Sequence, residues 1–159
     1  MALASCKDTF CKPKIVSLDG LLHAKKYDWE SAKQSYQSIA DLNDYKKISS
    51  VNFQLSDKGL QLKDKSPKLA GIISIIPGAG YAYTGHKQTA VSAFIVNGLL
   101  AYATYSSFRN KNYGMGILTV VFNFSFYLGN IYGATKSAKR YNEQQRKSII
   151  NKLIFNTQF

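Results

Sequence analysis

The second half of the chain contains three long runs without Asp, Glu, Lys or Arg. They are residues 69–86, 88–108 and 112–135, and only short basic linkers separate them. As helices rising about 1.5 Å per residue they would be roughly 27, 31 and 36 Å long, against a bilayer hydrocarbon core of roughly 30 Å. One charge at mid-bilayer costs about 2.5–3.5 kcal/mol on insertion scales, so the pattern predicts membrane helices. A soluble helical core is the alternative, because the runs also contain amides: Asn97, Asn123 and Asn130.

The first run predicts a broken helix rather than a straight span. Proline lacks a backbone donor and clashes with the preceding turn, and glycines favour bends. Irregular backbone survives at membrane depth only where protein covers it, so we expect residues 69–86 to be kinked or re-entrant and packed on the next two helices. The residues of this hairpin motif are Pro77, Gly78, Gly80, Tyr83 and Gly85.

The second and third runs are better candidates for spans. The third includes two glycines four residues apart, a spacing that lets membrane helices approach closely. We expect this pair to serve packing within the chain. The predicted packing residues are Gly129, Asn130, Tyr132 and Gly133.

The first 64 residues predict soluble helices. Ser17 is a plausible N-cap for a helix ending near Lys26, and Asp28 for a second helix. A third helix is expected from Asp44, and Pro67 is expected to end it because the residue before a proline is pushed out of the helical region.

The second of these helices carries an apolar stripe formed by Trp29, Ala32 and Tyr36. The stretch 22–36 resembles the turn and second helix of a tetratricopeptide repeat, with Ala32 and Tyr36 at its small and aromatic packing positions. It covers about one repeat, and an unrelated helical hairpin is the alternative. The resemblance implies protein interaction, so Trp29, Ala32 and Tyr36 are the predicted partner-docking residues.

The charge is distributed unevenly along the chain. The whole sequence carries +12, yet Glu143 is the only acid after residue 64, where eleven Lys and Arg give a net charge of +10. Residues 136–159 suit a basic amphipathic helix lying on anionic lipid. The predicted headgroup contacts are Lys136, Lys139, Arg140, Arg146 and Lys147.

A soluble, basic nucleic-acid-binding protein is the competing interpretation of this charge. Nucleic-acid-binding surfaces combine Lys and Arg with stacking aromatic side chains. Here most aromatic residues lie inside the uncharged runs, so nucleic acid is not expected as a partner.

The chain resembles a family of bacterial envelope membrane proteins in the order of three segments, which are residues 65–71, 76–85 and 126–133. In that family a Pro-Gly-Ala-Gly and Tyr-Thr-Gly hairpin follows tetratricopeptide-like helices, and some members attach it to the membrane protein insertion efficiency factor. The stretch 65–142 also resembles the two-transmembrane-helix domain. The resemblance implies membrane residence and architecture. It supplies no reaction, and this chain lacks the repeat array and the insertion-factor Cys motif.

Catalytic and cofactor chemistry finds little support. Residues 80–89 nearly match a phosphate-binding loop, but His86 separates Gly85 from Lys87. The two histidines and two cysteines do not have zinc-ligand spacing. We therefore predict no catalytic residue, no metal and no cofactor, and the protein is not expected to be an enzyme.

The tripeptide before Cys6 has the residue types of a lipoprotein cleavage box, but too few residues precede it for an export signal. With an upstream start, Cys6 would become a lipidated N-terminus. As numbered, the two cysteines are expected to be free thiols in a flexible tail.

These observations predict an all-α protein in four parts. The expected parts are a flexible tail at 1–16, a soluble tetratricopeptide-like segment at 17–64, a membrane domain at 65–135 and a basic amphipathic tail at 136–159. We expect a multi-pass protein of the bacterial inner membrane that acts as a structural or interaction subunit. Its expected partners are the lipid bilayer and an unidentified envelope protein, with a homo-oligomer left open. The alternative is a transport or channel component built on the hairpin and the three asparagines.

Positive-inside bias discriminates between topologies. If residues 69–86 are re-entrant, only Arg109 and Lys111 lie on one side of the membrane. The bias then places both termini in the cytoplasm. On the opposing side, ten basic residues flank the apolar runs: Lys58, Lys63, Lys65, Lys68, Lys87, Lys136, Lys139, Arg140, Arg146 and Lys147.

Overall fold

The computed structural model describes residues 11–40 and 46–157, and this part of the chain is helical without strands, which confirms the all-α prediction. The helices are α1 (Cys11–Lys25), α2 (Trp29–Ser38), α3 (Lys46–Leu60), α4 (Pro67–Ile73), α5 (Ala79–Tyr83), α6 (Lys87–Arg109) and α7 (Tyr113–Thr157).

The chain divides into two compact units. The helical unit consists of the residues up to Lys63 together with those from Glu143 onward, and the hairpin unit is Asp64–Asn142. Helix α7 contributes its first part to the hairpin unit and its last part to the helical unit.

The helical unit is held together by large side chains that pack on glycine. The Tyr36 ring covers Gly20, where an added Cβ would lie 2.9 Å from the ring, and the Trp29 indole lies directly over Gly59. Tyr36 is fully buried, and burial raises its pKa to about 12. The core residues are Leu21, Ala24, Trp29, Ala32, Tyr36, Leu55, Ile149 and Leu153.

Polar contacts fix the ends and crossings of these helices. Asp28 caps α2 as predicted: its Oδ1 accepts the Ser31 N–H at 3.2 Å. Hydrogen bonds from the Ser31 side chain and backbone lower the Asp28 pKa. Lys33 Nζ donates to Asp57 Oδ1 at 2.6 Å, joining α2 to α3, and the bond raises the Lys33 pKa.

Several predicted boundaries are wrong. Helix α1 begins at Cys11, so Ser17 lies buried inside it rather than at its N-cap. Cys11 is disulfide-bonded, which contradicts the expectation of free thiols. Helix α3 ends at Leu60, and Pro67 starts α4 instead of ending α3, with Ser66 accepting the Leu69 N–H at 3.3 Å. Cys6 and Asp44 lie outside the described residues.

The first apolar run forms two short helices, α4 and α5, with an irregular segment at Ser74–Gly78 between them. Helix α6 matches the predicted span 88–108 to within one residue at each end. Helix α7 begins at Tyr113, close to the expected position.

Helix α7 does not end near Thr135. It continues to Thr157, so residues 136–157 form no separate helix. Ile149 and Leu153 are buried in the core of the helical unit at 8% and 0% exposure, which contradicts the expectation that this apolar face lies on lipid.

Candidate functional site

Two helices of the structure are long and apolar enough to cross a membrane. They are α6 and α7. Of the 18 most apolar consecutive residues in each helix, only 6% are buried in α6 and 11% in α7. Large side chains project from both, with Phe94 62%, Tyr102 70% and Ile117 62% exposed. Soluble monomers seldom expose continuous apolar surface of this extent, so these two helices require a covering.

Asn130 of α7 holds the irregular segment around Pro77. Its Oδ1 accepts the Gly78 N–H at 3.3 Å, and its Nδ2 donates to the Ser74 carbonyl at 3.2 Å. The Tyr127 hydroxyl donates to the Ile75 carbonyl at 2.9 Å. A helix break frees backbone groups that need partners when buried. Asn130 is 5% exposed and supplies two of those partners from one amide, an arrangement that we call the Asn130 clamp.

The glycines of the hairpin motif allow close backbone approach. Gly78 has a φ of +87°, and a Cβ there would collide with the Ala90 carbonyl of α6. A Cβ on Gly80 would collide with Ser74 Oγ, the Ala70 carbonyl and the Ala134 methyl. These two positions therefore fix α5 against α4, α6 and α7. The remaining glycine of the motif, Gly85, also has a φ of +87°, but open space surrounds it.

The two glycines of the predicted packing pair have different surroundings. Gly133 lies under the Tyr81 hydroxyl, so it packs within the hairpin unit, whereas a Cβ on Gly129 would meet nothing within 4 Å. Tyr132 is 62% exposed, so its side chain contributes little packing. Lys136 Nζ lies 4.7 Å from the centre of the Tyr132 ring.

A second polar cluster surrounds Lys65. Its Nζ donates to the Tyr83 carbonyl at 2.7 Å and lies 4.1 Å from the centre of the Tyr141 ring. Its backbone N–H donates to Asn142 Oδ1 at 2.8 Å, and Asn142 Nδ2 donates to the Lys65 carbonyl at 3.0 Å. Tyr83 also accepts the Ser66 N–H on its hydroxyl at 3.2 Å. The start of the hairpin unit is therefore tied both to the motif and to α7.

A third cluster joins His86 to two hydroxyls. Ser137 Oγ lies 3.0 Å from His86 Nδ1 and 2.8 Å from Thr84 Oγ1, and Thr84 Oγ1 lies 3.3 Å from His86 Nδ1. Thr84 and Ser137 are buried. Sequence reasoning missed Lys65, Thr84, Ser137 and Asn142, because most of their partners are 18–77 positions away in the chain. No local spacing signals such pairs.

The predicted partner-docking residues are buried in the helical unit. Trp29 is 7% exposed, and Ala32 and Tyr36 are fully buried. Side chains that already form the core cannot also contact a partner, so this prediction does not fit the structure. Their apolar stripe is explained by packing against α1, α3 and the end of α7.

The predicted contact of five basic residues with lipid headgroups remains a prediction. Lys136, Lys139, Arg140 and Lys147 are exposed. Arg146 is half-buried, and its guanidinium carbon lies 4.9 Å from the centre of the Tyr27 ring.

Within residues 11–40 and 46–157 there is no cluster of three or more His, Cys, Asp or Glu side chains that could hold a metal ion. Comparisons with protein-family models, with curated proteins and with solved structures found no match.

Proposed function

We propose that this chain is a small integral membrane protein that acts as a structural or interaction subunit of a bacterial envelope. The carrying observation is the exposure of α6 and of the first part of α7, whose large apolar side chains project outward instead of forming a core. Lipid is the covering that fits both their length and their composition. If lipid covers both helices, the chain crosses the membrane twice, and the short basic turn after Arg109 connects the two spans.

The Asn130 clamp supports a re-entrant hairpin at Ser74–Gly78. Backbone that leaves the helical pattern needs internal partners in lipid, and Asn130 supplies them. The same contacts favour a structural role over transport. Asn130 is one of the three asparagines from which a channel would be built, yet both ends of its amide are already occupied by backbone.

The interaction role rests on the helical unit. Its exposed apolar side chains include Phe155 at 76% and Val51 at 40%, beside a groove of about 510 Å³ that Leu55 and Lys152 also line. We propose that this groove, and not the buried Trp29 stripe, contacts a protein partner. Replacing Phe155 with Ser should then release a partner that copurifies with the wild-type protein, whereas Leu22→Ser, also on an exposed position, should retain it.

Fractionation tests the membrane proposal. We expect the protein to sediment with membranes and to remain there after carbonate or urea extraction, because apolar burial rather than surface charge holds it. Recovery of most of the protein as a soluble monomer without detergent would refute membrane residence. Release by high salt alone would indicate peripheral binding through the basic residues.

A further inference from the structure

Asn123 is a polar residue at the centre of the apolar part of α7. The uncharged run 112–135 has its midpoint there, roughly 17 Å from either end at about 1.5 Å per residue. Its side chain is half-buried, and its amide makes no hydrogen bond to any residue in 11–40 or 46–157. An amide at that depth cannot reach the headgroups, and hydrocarbon offers neither donors nor acceptors. In a membrane, Asn123 therefore needs a polar partner on another molecule.

The other two asparagines of the apolar helices differ from Asn123. Asn97 is 6% exposed and donates to the Ala93 carbonyl at 2.8 Å. Asn130 is 5% exposed and holds two backbone groups in the Asn130 clamp. Their own chain encloses both side chains, whereas the Asn123 amide remains partly accessible. Of the three, Asn123 is the one that can contact a second molecule.

Asn123 lies on a face of α7 that its own chain covers only in part. Tyr127, one turn further along, donates its hydroxyl to the Ile75 carbonyl at 2.9 Å, so the hairpin covers this face from that point onward. Val120, about one turn earlier, is 43% exposed, and Phe124 is 62% exposed. Positions 120, 123 and 127 recur at intervals of three and four residues, which is the spacing of a seam between two helices. The face around Asn123 is therefore shaped for a helix and is uncovered.

We infer that this face of α7 pairs two copies of the chain, with their Asn123 amides bonded to each other. An amide has a donor and an acceptor, so two amides related by a twofold axis exchange both hydrogen bonds. Two copies inserted in the same direction place Asn123 at the same depth, so a second copy always supplies the matching group. An unrelated protein would need a polar side chain at that depth. Interhelical hydrogen bonds of this kind drive the association of membrane helices.

The inference rests on the proposed membrane residence, and flotation of the same vesicles tests that residence separately. The full-length protein, with Cys6 and Cys11 replaced by Ser, is reconstituted in vesicles of phosphatidylethanolamine and phosphatidylglycerol at increasing dilution in lipid. A dye on Gln145→Cys, which is an exposed position, serves as donor in some copies and as acceptor in others. Energy transfer between copies then measures the dissociation constant of the dimer.

We expect dimers of the wild type and a dissociation constant at least about tenfold higher for Asn123→Leu, the size of change that two interhelical hydrogen bonds account for. Asn123→Gln keeps the amide and should associate nearly as well as wild type. Ser125→Leu is the matched control, because Ser125 lies on the other side of α7 and its hydroxyl bonds to the Val121 carbonyl of its own helix. This variant should associate like wild type.

Cysteine crosslinking in the same vesicles identifies the face that pairs. Val120→Cys should form a disulfide between copies on oxidation. Leu118→Cys, 52% exposed on the opposite side of the helix, should not. Circular dichroism checks that each variant is folded.

Wild-type protein that floats with the vesicles but stays monomeric would overturn the inference and assign the face to lipid or to another protein, while the membrane proposal stands. Equal association of wild type and Asn123→Leu would also overturn it, as would crosslinking at Leu118→Cys instead of Val120→Cys, because the copies would then pair through another face. Failure to float would refute membrane residence, and the inference with it.

Discussion

At the scale of single residues, stability depends on whether each buried polar group has a hydrogen-bond partner. Asn130 satisfies two backbone groups at once, whereas the buried hydroxyl of Tyr36 makes no hydrogen bond of normal geometry and interacts only weakly with Thr157. The two residues therefore predict opposite responses to an apolar replacement.

Replacing Asn130 with Leu should lower the free energy of unfolding of the detergent-purified protein by about 2–6 kcal/mol. The Gly78 N–H and the Ser74 carbonyl would both lose their partner, and each unsatisfied group costs about 1–3 kcal/mol. Unfolding in increasing dodecyl sulfate measures the change. Asn123→Leu is the control, on the same helix outside the clamp, and equal loss in both variants would contradict the role given to Asn130.

Tyr36→Phe should stabilise the protein by about 1 kcal/mol at pH 7, because it removes a buried hydroxyl that lacks a full partner. The raised pKa of Tyr36 gives a second expectation. A folded-state pKa above the unfolded one contributes stability that is present below pH 10 and is lost as the pH rises through about 12. Wild type should therefore lose about 2 kcal/mol more than Tyr36→Phe over this window, measured by circular dichroism. Parallel pH profiles would show that Tyr36 does not titrate in this way.

At the scale of helices, close approach at glycine and the continuity of α7 decide the packing. The length of an uncharged run predicts neither of these features. The motif glycines fix α5 against its neighbours, and the extension of α7 delivers apolar side chains to the helical unit.

Replacing Gly80 with Ala should reduce the folded yield in detergent severalfold. Its Cβ would collide with Ser74, Ala70 and Ala134, and overpacking of this kind costs about 1–3 kcal/mol. Gly98→Ala on α6 meets open space, and Ala favours a helix by about 1 kcal/mol over Gly, so its yield should be unchanged or higher. Monodisperse recovery on size-exclusion chromatography compares the two. Equal recovery would mean that α5 has room to move away.

Replacing Leu153 with Ala should destabilise the helical unit by about 2–5 kcal/mol, the usual loss for a fully buried leucine. Trp29 is the single tryptophan and lies in the same core, so its emission during urea unfolding reports on this unit. Phe155→Ala, two residues along on an exposed position, should cost less than about 0.5 kcal/mol. A mild effect of Leu153→Ala would favour the original expectation that residues 136–157 lie on lipid.

At the scale of the whole molecule, the proposed topology follows from charge. With residues 69–86 re-entrant, the basic residues that flank the apolar runs divide ten against Arg109 and Lys111, which favours cytoplasmic termini.

Single-Cys labelling with a membrane-impermeant reagent measures this topology, with Cys6 and Cys11 replaced by Ser. We expect Asn110→Cys to react in intact cells and Ser38→Cys and Gln145→Cys to react only after permeabilisation. All three positions are exposed. The reverse pattern would overturn the orientation, and opposite reactions of Ser38→Cys and Gln145→Cys would require three spans.

The sequence by itself determined the helical class, the bounds of α6 and the N-cap at Asp28, because each follows from local features: an uncharged run, a helical period, a capping carboxylate. It also indicated a break near Pro77. Only the tertiary structure decided what surrounds that break and where α7 ends. The Asn130 clamp joins residues 52 and 56 positions apart, and Leu153 packs against helices more than one hundred positions earlier. For the same reason, the sequence alone predicted that Trp29, Ala32 and Tyr36 dock a partner, although they are buried in the core. An apolar stripe shows that a face must be covered, and only the fold shows that the chain covers it itself.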